Sequence, residues 1–177
     1  MQPVVIVLAS GRGERFLASG GSTHKLQALL GDKTVLQHTL DAVRASGLPL
    51  YLEESGHPGM GDSIAAAVRA TADASAWLIL PADLPLVQPE TLRRVAEAPA
   101  QHAVVRPVYQ GRHGHPVRFA RSCGPQLMAL QGNQGAAPVV IAQCATELIV
   151  DDAGCVTDID TVQDLQQALQ LLQARQP

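Results

Sequence analysis

Runs of consecutive apolar residues alternate along this chain with segments in which apolar residues recur at helical spacing. The first run, residues 4–8, is apolar throughout and mostly β-branched, which is typical of a strand buried on both faces of a parallel sheet. Residues 77–80 form a second fully apolar run, and further runs predict strands at 48–52, 103–109, 115–119 and 147–150. The alternation predicts an α/β protein whose helices cover a mostly parallel sheet.

Capping residues indicate where the helices lie between these strands. Apolar positions recur at helical spacing from residue 34 to residue 46, and Gly47 follows as a C-cap. Capping residues predict that further helices begin near Asp62 and Ser63, at Pro89, and at Thr161, whose capping-box partner is Asp164. Residues 121–130 and 136–143 are predicted to be helical as well.

Composition narrows the class of protein. The 177 residues are 46% hydrophobic but only 3% aromatic, so aliphatic residues must build the core of what we interpret as one domain spanning residues 1–177. A net charge of −3 without a basic cluster argues against a nucleic-acid partner. The three cysteines lack CxxC spacing, which argues against a zinc site or a disulfide framework. We find no export signal or membrane-spanning segment and therefore expect a cytoplasmic protein without a membrane partner.

The segment after the first strand carries the clearest candidate chemistry. Residues 10–13, which we call the first loop, contain two glycines that let backbone N–H groups approach a ligand closely. Arg15 adds a planar fork of donors, and Lys25 adds a mobile point charge. These groups suit a phosphate, although the segment matches neither the dinucleotide fingerprint nor the Walker loop.

An acidic residue follows the second buried strand. Asp83 stands just past residues 77–80, and ligands of open α/β sheets gather outside the carboxyl ends of the strands. We therefore expect Asp83, the first loop and the acidic segment before the last helix to meet in one cleft. Asp83 could alternatively only cap a turn, and the acidic residues Asp158 and Asp160 could only charge the N-terminus of that helix.

Five ordered motifs give the chain a resemblance to the MobA/MocA-type nucleotidyltransferases, and most closely to the molybdenum cofactor cytidylyltransferases. They are LASGRGER with Lys25, GMGDSIAAAVRA from Gly59, PADLPLV from Pro81, GRHGHPVRF from Gly111 and DIDTVQDL from Asp158. The resemblance implies a Rossmann-like three-layer sandwich that binds a nucleoside triphosphate, with CTP favoured, together with Mg²⁺. It also implies a molybdopterin-type phosphorylated acceptor and the release of pyrophosphate.

The same resemblance assigns roles to individual residues. Arg15, Lys25 and Asp83 would be catalytic, with Arg15 and Lys25 on the phosphates. Asp83 and Asp160 would hold the metal, with Asp158 as an alternative to Asp160. The nucleotide would contact Leu8, Ala9, Ser10, Gly11, Arg12, Gly13, Lys25, Gly61 and Ser63, and the acceptor would contact Gly114, His115 and Pro116.

Several departures from the family pattern leave alternatives open. The connection between Arg15 and Lys25 is long, the stretch from Gly47 to Gly59 is short by about one βαβ unit, and Ala137 stands where the family has an arginine. A guanylyltransferase, another nucleotidyltransferase with a different phosphorylated acceptor, or a non-catalytic nucleotide-binding domain are therefore also compatible with the sequence. The oligomeric state is not indicated.

Overall fold

The computed structural model describes residues 1–175, and a seven-stranded mixed sheet forms its centre. Its strand order is β4-β1-β5-β8-β6-β7, with β9 also paired to β6, and β2 and β3 form a separate small hairpin. The strands are β1 (Val4–Leu8), β2 (Leu29–Leu30), β3 (Lys33–Thr34), β4 (Leu50–Glu53), β5 (Ala76–Pro81), β6 (Val104–Tyr109), β7 (Arg112–His113), β8 (Val117–Ala120) and β9 (Thr146–Ile149).

Most strands of the sheet run in one direction. β1 is parallel to both of its neighbours, β4 and β5, and β9 is parallel to β6. Only β7 and β8, within the described residues, run against the others. The mostly parallel sheet predicted from the apolar runs is thus confirmed.

Helices cover both faces of this sheet. They are α1 (Glu14–Ala18), α2 (Val35–Ser46), α3 (Met60–Ala70), α4 (Pro89–Ala96), α5 (Gly124–Met128), α6 (Ala137–Ala142) and α7 (Val162–Ala174). Val5 and Val7 of β1 pack in the same core cluster as α2, α4 and α7. Ile6, on the opposite face, packs with α3, α5 and α6. The result is the expected three-layer sandwich, with β1 buried on both faces.

Several element boundaries agree with the capping signals. α2 begins after a capping box between Thr34 and Gln37 and ends at Gly47, whose φ of 76° is left-handed. Thr161 and Asp164 form the predicted capping box of α7. Between Gly47 and Gly59 the chain contributes only β4 to the sheet, in agreement with the short connection seen in the sequence.

The start of α3 was predicted wrongly. The helix begins at Met60 with Gly59 as N-cap, so Asp62 and Ser63 lie within its first turn. The reason is tertiary, because a Cβ on Gly59 would lie 2.4 Å from the carbonyl oxygen of Gly132. The carboxylate of Asp62 accepts a hydrogen bond from the N–H of the same Gly132 (2.9 Å).

Two further boundaries differ from expectation. β8 begins at Val117 rather than at residue 115, because the N–H of His115 bonds to the carbonyl of Cys155 instead of to β5. The predicted helix 121–130 divides into a 3₁₀ turn and the short α5, since Pro125 has no N–H to donate and is accepted only in the first turn of a helix.

Within residues 1–175, no helix combines the length and apolar character needed to span a bilayer. The interpretation of residues 1–177 as one domain stays a prediction.

Candidate active site

The candidate site lies at the carboxyl ends of β1 and β5. These strands are parallel neighbours with Leu8 in register with Pro81, and the N–H of Ala82 bonds to the carbonyl of Leu8 (3.0 Å). Helix α2, in the connection from β1 to β4, and helix α3, in the connection from β4 to β5, cover opposite faces of the sheet. Strand ends with this arrangement open a crevice where α/β proteins bind ligands.

An ion-pair cluster occupies this crevice. The ammonium of Lys25 lies 2.6 Å from Asp83 Oδ2 and 3.1 Å from Asp160 Oδ1. The side chains of these three residues are only 13%, 16% and 24% exposed, respectively. Residues 11–13 of the first loop line the same cavity as these three side chains. The first loop, the end of β5 and the acidic segment before α7 therefore meet in one cleft, as predicted.

The backbone fixes the relative positions of the acids. The N–H of Ile159 donates to the carbonyl oxygen of Asp83 (2.9 Å). Because Ile159 is the residue immediately before Asp160 and is fully buried, this bond holds the two carboxylates beside each other. Their spacing is set by the fold rather than by side-chain flexibility.

Arginines line the mouth of the cleft. Arg15 Nη1 lies 3.0 Å from Asp160 Oδ2, although its side chain is 78% exposed. Arg12 lies on the first loop and is exposed beside Glu14. Since neither guanidinium is buried, both can turn toward an anion that enters from solvent.

His24 connects the first loop to the segment that carries Lys25. Its Nε2 lies 2.6 Å from the carbonyl oxygen of Gly11, and its Nδ1 accepts a hydrogen bond from the N–H of Leu26 (3.3 Å). An accepting Nδ1 requires the proton on Nε2, where it can be donated to Gly11. The loop can pass this close because Gly13 has a left-handed φ of 65° and no side chain, and a Cβ there would lie 3.2 Å from the His24 ring.

The electrostatics of the cleft follow from burial and paired charge. Burial alone would lower the pKa of Lys25, but the carboxylates of Asp83 and Asp160 more than offset it and raise this pKa above its ordinary value. Burial and the neighbouring carboxylates raise the pKa of Asp158. Burial lowers the pKa of His115. The site therefore concentrates carboxylates around a single buried ammonium, with further cations at its mouth.

Three adjoining cavities surround the cluster. The first, of about 590 Å³, lies between the first loop and the acidic segment, and Arg15, Lys25, Asp83 and Asp160 all line it. The second, of about 430 Å³, extends from the first loop toward the start of α3. The third, also of about 430 Å³, has mainly apolar walls and is shared between α3, α6 and β8.

Most residues predicted for the site line one of these cavities. They are Leu8, Ser10, Gly11, Arg12, Gly13, Arg15, Lys25, Asp83, Gly114, His115 and Asp160, together with the alternative metal ligand Asp158.

Four predicted residues lie behind the cavity walls instead. Ala9 packs against the core and donates its N–H to the carbonyl of Glu53 (2.8 Å). A Cβ on Gly61 would lie 2.8 Å from the backbone of Gln131, so this glycine serves close packing. Ser63 is buried and its hydroxyl contacts that of Ser10 (3.1 Å). Pro116 is buried as well.

Several residues that line the cavities were not predicted from the sequence. His57 and Asn133 line the second cavity, and Arg112 lines the first, where its guanidinium donates to the carbonyl of Val156 (3.0 Å). The strand-end rule could have found His57, because β4 ends beside β1 with Glu53 in register with Leu8. Asn133 and Arg112 carry no comparable signal, since tertiary contacts alone bring their segments to the site.

The carboxylates have the chemistry of a divalent-cation site but form no ready-made cage. Among residues 1–175, no three His, Cys, Asp or Glu side chains are grouped to hold a metal ion. Oxygen donors suit Mg²⁺, which is commonly held by one or two carboxylates plus substrate phosphates. Asp83 and Asp160 fit that mode, because they already flank a cation, the ammonium of Lys25.

The chain is similar to a known protein family and to several solved structures. The model of the MobA-like NTP transferase domain family matches residues 41–147. The crystal structure of Rv0371c from Mycobacterium tuberculosis H37Rv is 26% identical, with a TM-score of 0.80 over 96% of this chain and 98% of that chain. The same protein in complex with manganese is similar over 96% of this chain and 99% of that chain, with a TM-score of 0.75 and 25% identity.

Two further proteins are similar to parts or all of the chain. The Methanothermobacter nucleotidyl transferase Mth528 has a TM-score of 0.80 over 98% of this chain and 99% of that chain, at 20% identity, which shows the shared fold. The bifunctional protein GlmU from Desulfitobacterium hafniense is 26% identical over 118 residues, or 55% of this chain. The match covers 25% of GlmU, so the chain spans about a quarter of that relative.

Proposed function

This chain belongs to the MobA-like NTP transferase domain family, and we propose that it is a nucleotidyltransferase. The proposed reaction transfers CMP from CTP to the terminal phosphate of a molybdopterin-type acceptor. The observation that carries the proposal is the position of the Lys25 ammonium. It lies between Asp83 and Asp160 at the strand ends, beneath a glycine-containing loop. A cation and two acids arranged in this way suit a triphosphate and its metal ion.

The triphosphate would lie in the first cavity. Lys25 and Arg15 would contact phosphate oxygens, and backbone N–H groups of the first loop would contribute further donors. Lys25 has a flexible stem and can follow a phosphate oxygen over a short distance, whereas the planar guanidinium of Arg15 can contact two oxygens at once. The second cavity, which shares Gly11 and Lys25 with the first, would take the nucleoside.

The reaction requires no residue to act as a general base. A phosphate monoester has a second pKa of about 6, so the acceptor is already largely a dianion near neutral pH. One of its oxygens attacks the α-phosphorus of CTP, the bond from that phosphorus to the bridging oxygen breaks, and pyrophosphate leaves with the electron pair. The cleft accordingly needs to position two polyanions and stabilise negative charge, rather than activate a nucleophile.

A divalent cation, with Mg²⁺ favoured, would neutralise charge on the α-phosphate and on the departing pyrophosphate. Asp83 and Asp160 would hold it, with Asp158 as the alternative second ligand. Lys25 and Arg15 would stabilise the same developing charge from the protein side. The proposed reaction requires no side chain to act as a general base.

The acceptor would enter from the side of the third cavity. Gly114 and His115 line this cavity, and His115 also lines the first cavity. The acceptor phosphate would meet the α-phosphorus where the first and third cavities join. Ala137 lines the third cavity at the position where the family resemblance leads one to expect an arginine. The acceptor side is therefore more apolar than the triphosphate side.

A pyrophosphate-release assay tests the proposal. The protein is incubated with Mg²⁺, molybdopterin and each of CTP, GTP, ATP and UTP, and the nucleotide-linked product is identified by mass spectrometry. We expect pyrophosphate with CTP and none with Asp83→Asn. Release with GTP instead would make the chain a guanylyltransferase, and tight CTP binding without any pyrophosphate would contradict catalysis.

A further inference from the structure

The Lys25 ammonium fills the position that a metal ion would need between the two acids. Its hydrogen bonds use Asp83 Oδ2 and Asp160 Oδ1, at 2.6 Å and 3.1 Å. Mg²⁺ requires carboxylate oxygens at about 2.0–2.1 Å in near-octahedral geometry. The ammonium and a divalent ion cannot both occupy the space between these oxygens.

We propose that Lys25 is an internal counter-cation that keeps the divalent ion out of the nucleotide-free site, so that the ion and the triphosphate bind together. The inference rests on the proposed metal-binding role of Asp83 and Asp160. Since no three His, Cys, Asp or Glu side chains of the described residues are grouped to hold a metal ion, the ion would take its remaining ligands from the phosphates. Lys25 then has two successive partners, first the carboxylates and then the phosphates.

The surroundings of Lys25 allow this exchange. Its side chain is 13% exposed and lines both the first and second cavities, so its ammonium can turn toward an anion bound in either. An arriving triphosphate supplies oxyanions that replace the carboxylates as its partners. Once released, Asp83 and Asp160 can accept the divalent ion that accompanies the phosphates.

The alternative is that the Lys25 ion pairs only stabilise the fold. The two hypotheses predict different effects of a Lys25 substitution on the affinity for a divalent ion. A lysine with a purely structural role would, when replaced, leave the affinity of the empty site for a divalent ion unchanged. A counter-cation would, when neutralised, leave two closely spaced carboxylates free to bind the ion. At such short range, removal of one positive charge is expected to raise that affinity by at least about tenfold.

The experiment measures Mn²⁺ binding to the nucleotide-free protein by titration calorimetry and by electron paramagnetic resonance. We compare the wild type with Lys25→Gln, and we expect the variant to bind Mn²⁺ at least about tenfold more tightly. Lys33→Gln is the matched control, because Lys33 forms an ion pair of similar length with Asp41 (2.7 Å) on the surface. The control is expected to bind Mn²⁺ like the wild type.

A second arm repeats the titration with a non-hydrolysable CTP analogue. The wild type should then bind Mn²⁺ in the ternary complex, which reports on the proposed function independently. If Lys25→Gln binds Mn²⁺ no better than the wild type without nucleotide, the counter-cation inference is overturned while the proposed function stands. If the wild type fails to bind Mn²⁺ even with the analogue, the metal role of Asp83 and Asp160 fails as well. Lys25→Met carries the same expectation should the glutamine variant not fold.

Discussion

Asp152 is a buried carboxylate that joins three parts of the chain behind the candidate site. Its side chain is 2% exposed. It accepts hydrogen bonds from the Gln88 N–H (2.9 Å) and the Thr91 hydroxyl (2.8 Å) at the start of α4, and from the Gly154 N–H (2.9 Å) in its own loop. It also forms an ion pair with Arg175 after α7 (3.4 Å). Because Gln88 makes no side-chain cap of its own, Asp152 supplies the cap of α4. We expect Asp152→Ala to destabilise the fold strongly.

The magnitude follows from the number and burial of these bonds. A hydrogen bond to a charged group contributes roughly 1.5–3 kcal/mol, and breaking a buried ionic network by removing one partner costs roughly 3–5 kcal/mol. The individual bonds share one acceptor and are not additive, so we expect a loss of about 4 kcal/mol in the free energy of unfolding. At roughly 2–4 °C per kcal/mol for a chain of this size, Tm should fall by roughly 8–16 °C.

Urea and thermal unfolding, followed by circular dichroism, measure this loss. Asp151→Ala is the matched control, because Asp151 is the adjacent residue and is exposed. A surface substitution of this kind changes stability by no more than about 0.5 kcal/mol. If Asp152→Ala lies within about 1 kcal/mol of Asp151→Ala, the view of Asp152 as a buried three-way connection is refuted.

Three further outcomes test the site and its support. Lys25→Ala should lower kcat for pyrophosphate release by roughly 10²- to 10³-fold, the scale for losing one preorganised electrostatic contact, whereas the control Lys33→Ala should retain the wild-type rate. Near-normal turnover by Lys25→Ala would show that Lys25 has no catalytic role. Arg15→Ala should raise KM for the triphosphate by about fivefold at low salt, since exposed charges contribute little, and an effect that persists in high salt would argue against this exposed role. Burial would raise the pKa of Asp164, but hydrogen bonds from Thr161 outweigh burial and lower this pKa. The ionised Asp164 therefore stabilises the fold at any pH above its ordinary pKa, and this stabilisation is lost as the pH falls through the lowered pKa of the folded protein. Thermal unfolding at neutral and acidic pH should therefore show the Tm difference between wild type and Asp164→Asn shrinking below about pH 4, and a difference that grows with acid would contradict the assignment.

The sequence predicted the elements whose signal is local. β1 was placed correctly because a strand buried on both faces must be an unbroken apolar run. α2 and α7 were placed correctly because capping residues mark their ends. The starts of α3 and β8 were missed because backbone contacts with Gly132 and Cys155 decide them, and both partners lie far away in sequence.

The candidate site was predicted to a similar depth and for related reasons. Asp83 follows a buried strand, so the strand-end rule located it, and the cleft was found by asking which ends lie side by side. The contact of Lys25 with both acids was not predicted, because the length of the connection after Arg15 left its path undefined. The contact between His24 and the first loop was not predicted either, since it depends on the folded path of that connection.

The way the cleft is held together explains which part of it can respond to a ligand. The acidic segment is fixed by backbone bonds, from Ile159 to Asp83 and from His115 to Cys155. The segment with the first loop and Lys25 is instead held at the cleft by side chains, including the contact between His24 and Gly11. Side-chain contacts can be exchanged for phosphate contacts without breaking the sheet or its helices. Binding should therefore rearrange the cations around a fixed pair of carboxylates, which is the order of events that the counter-cation role of Lys25 requires.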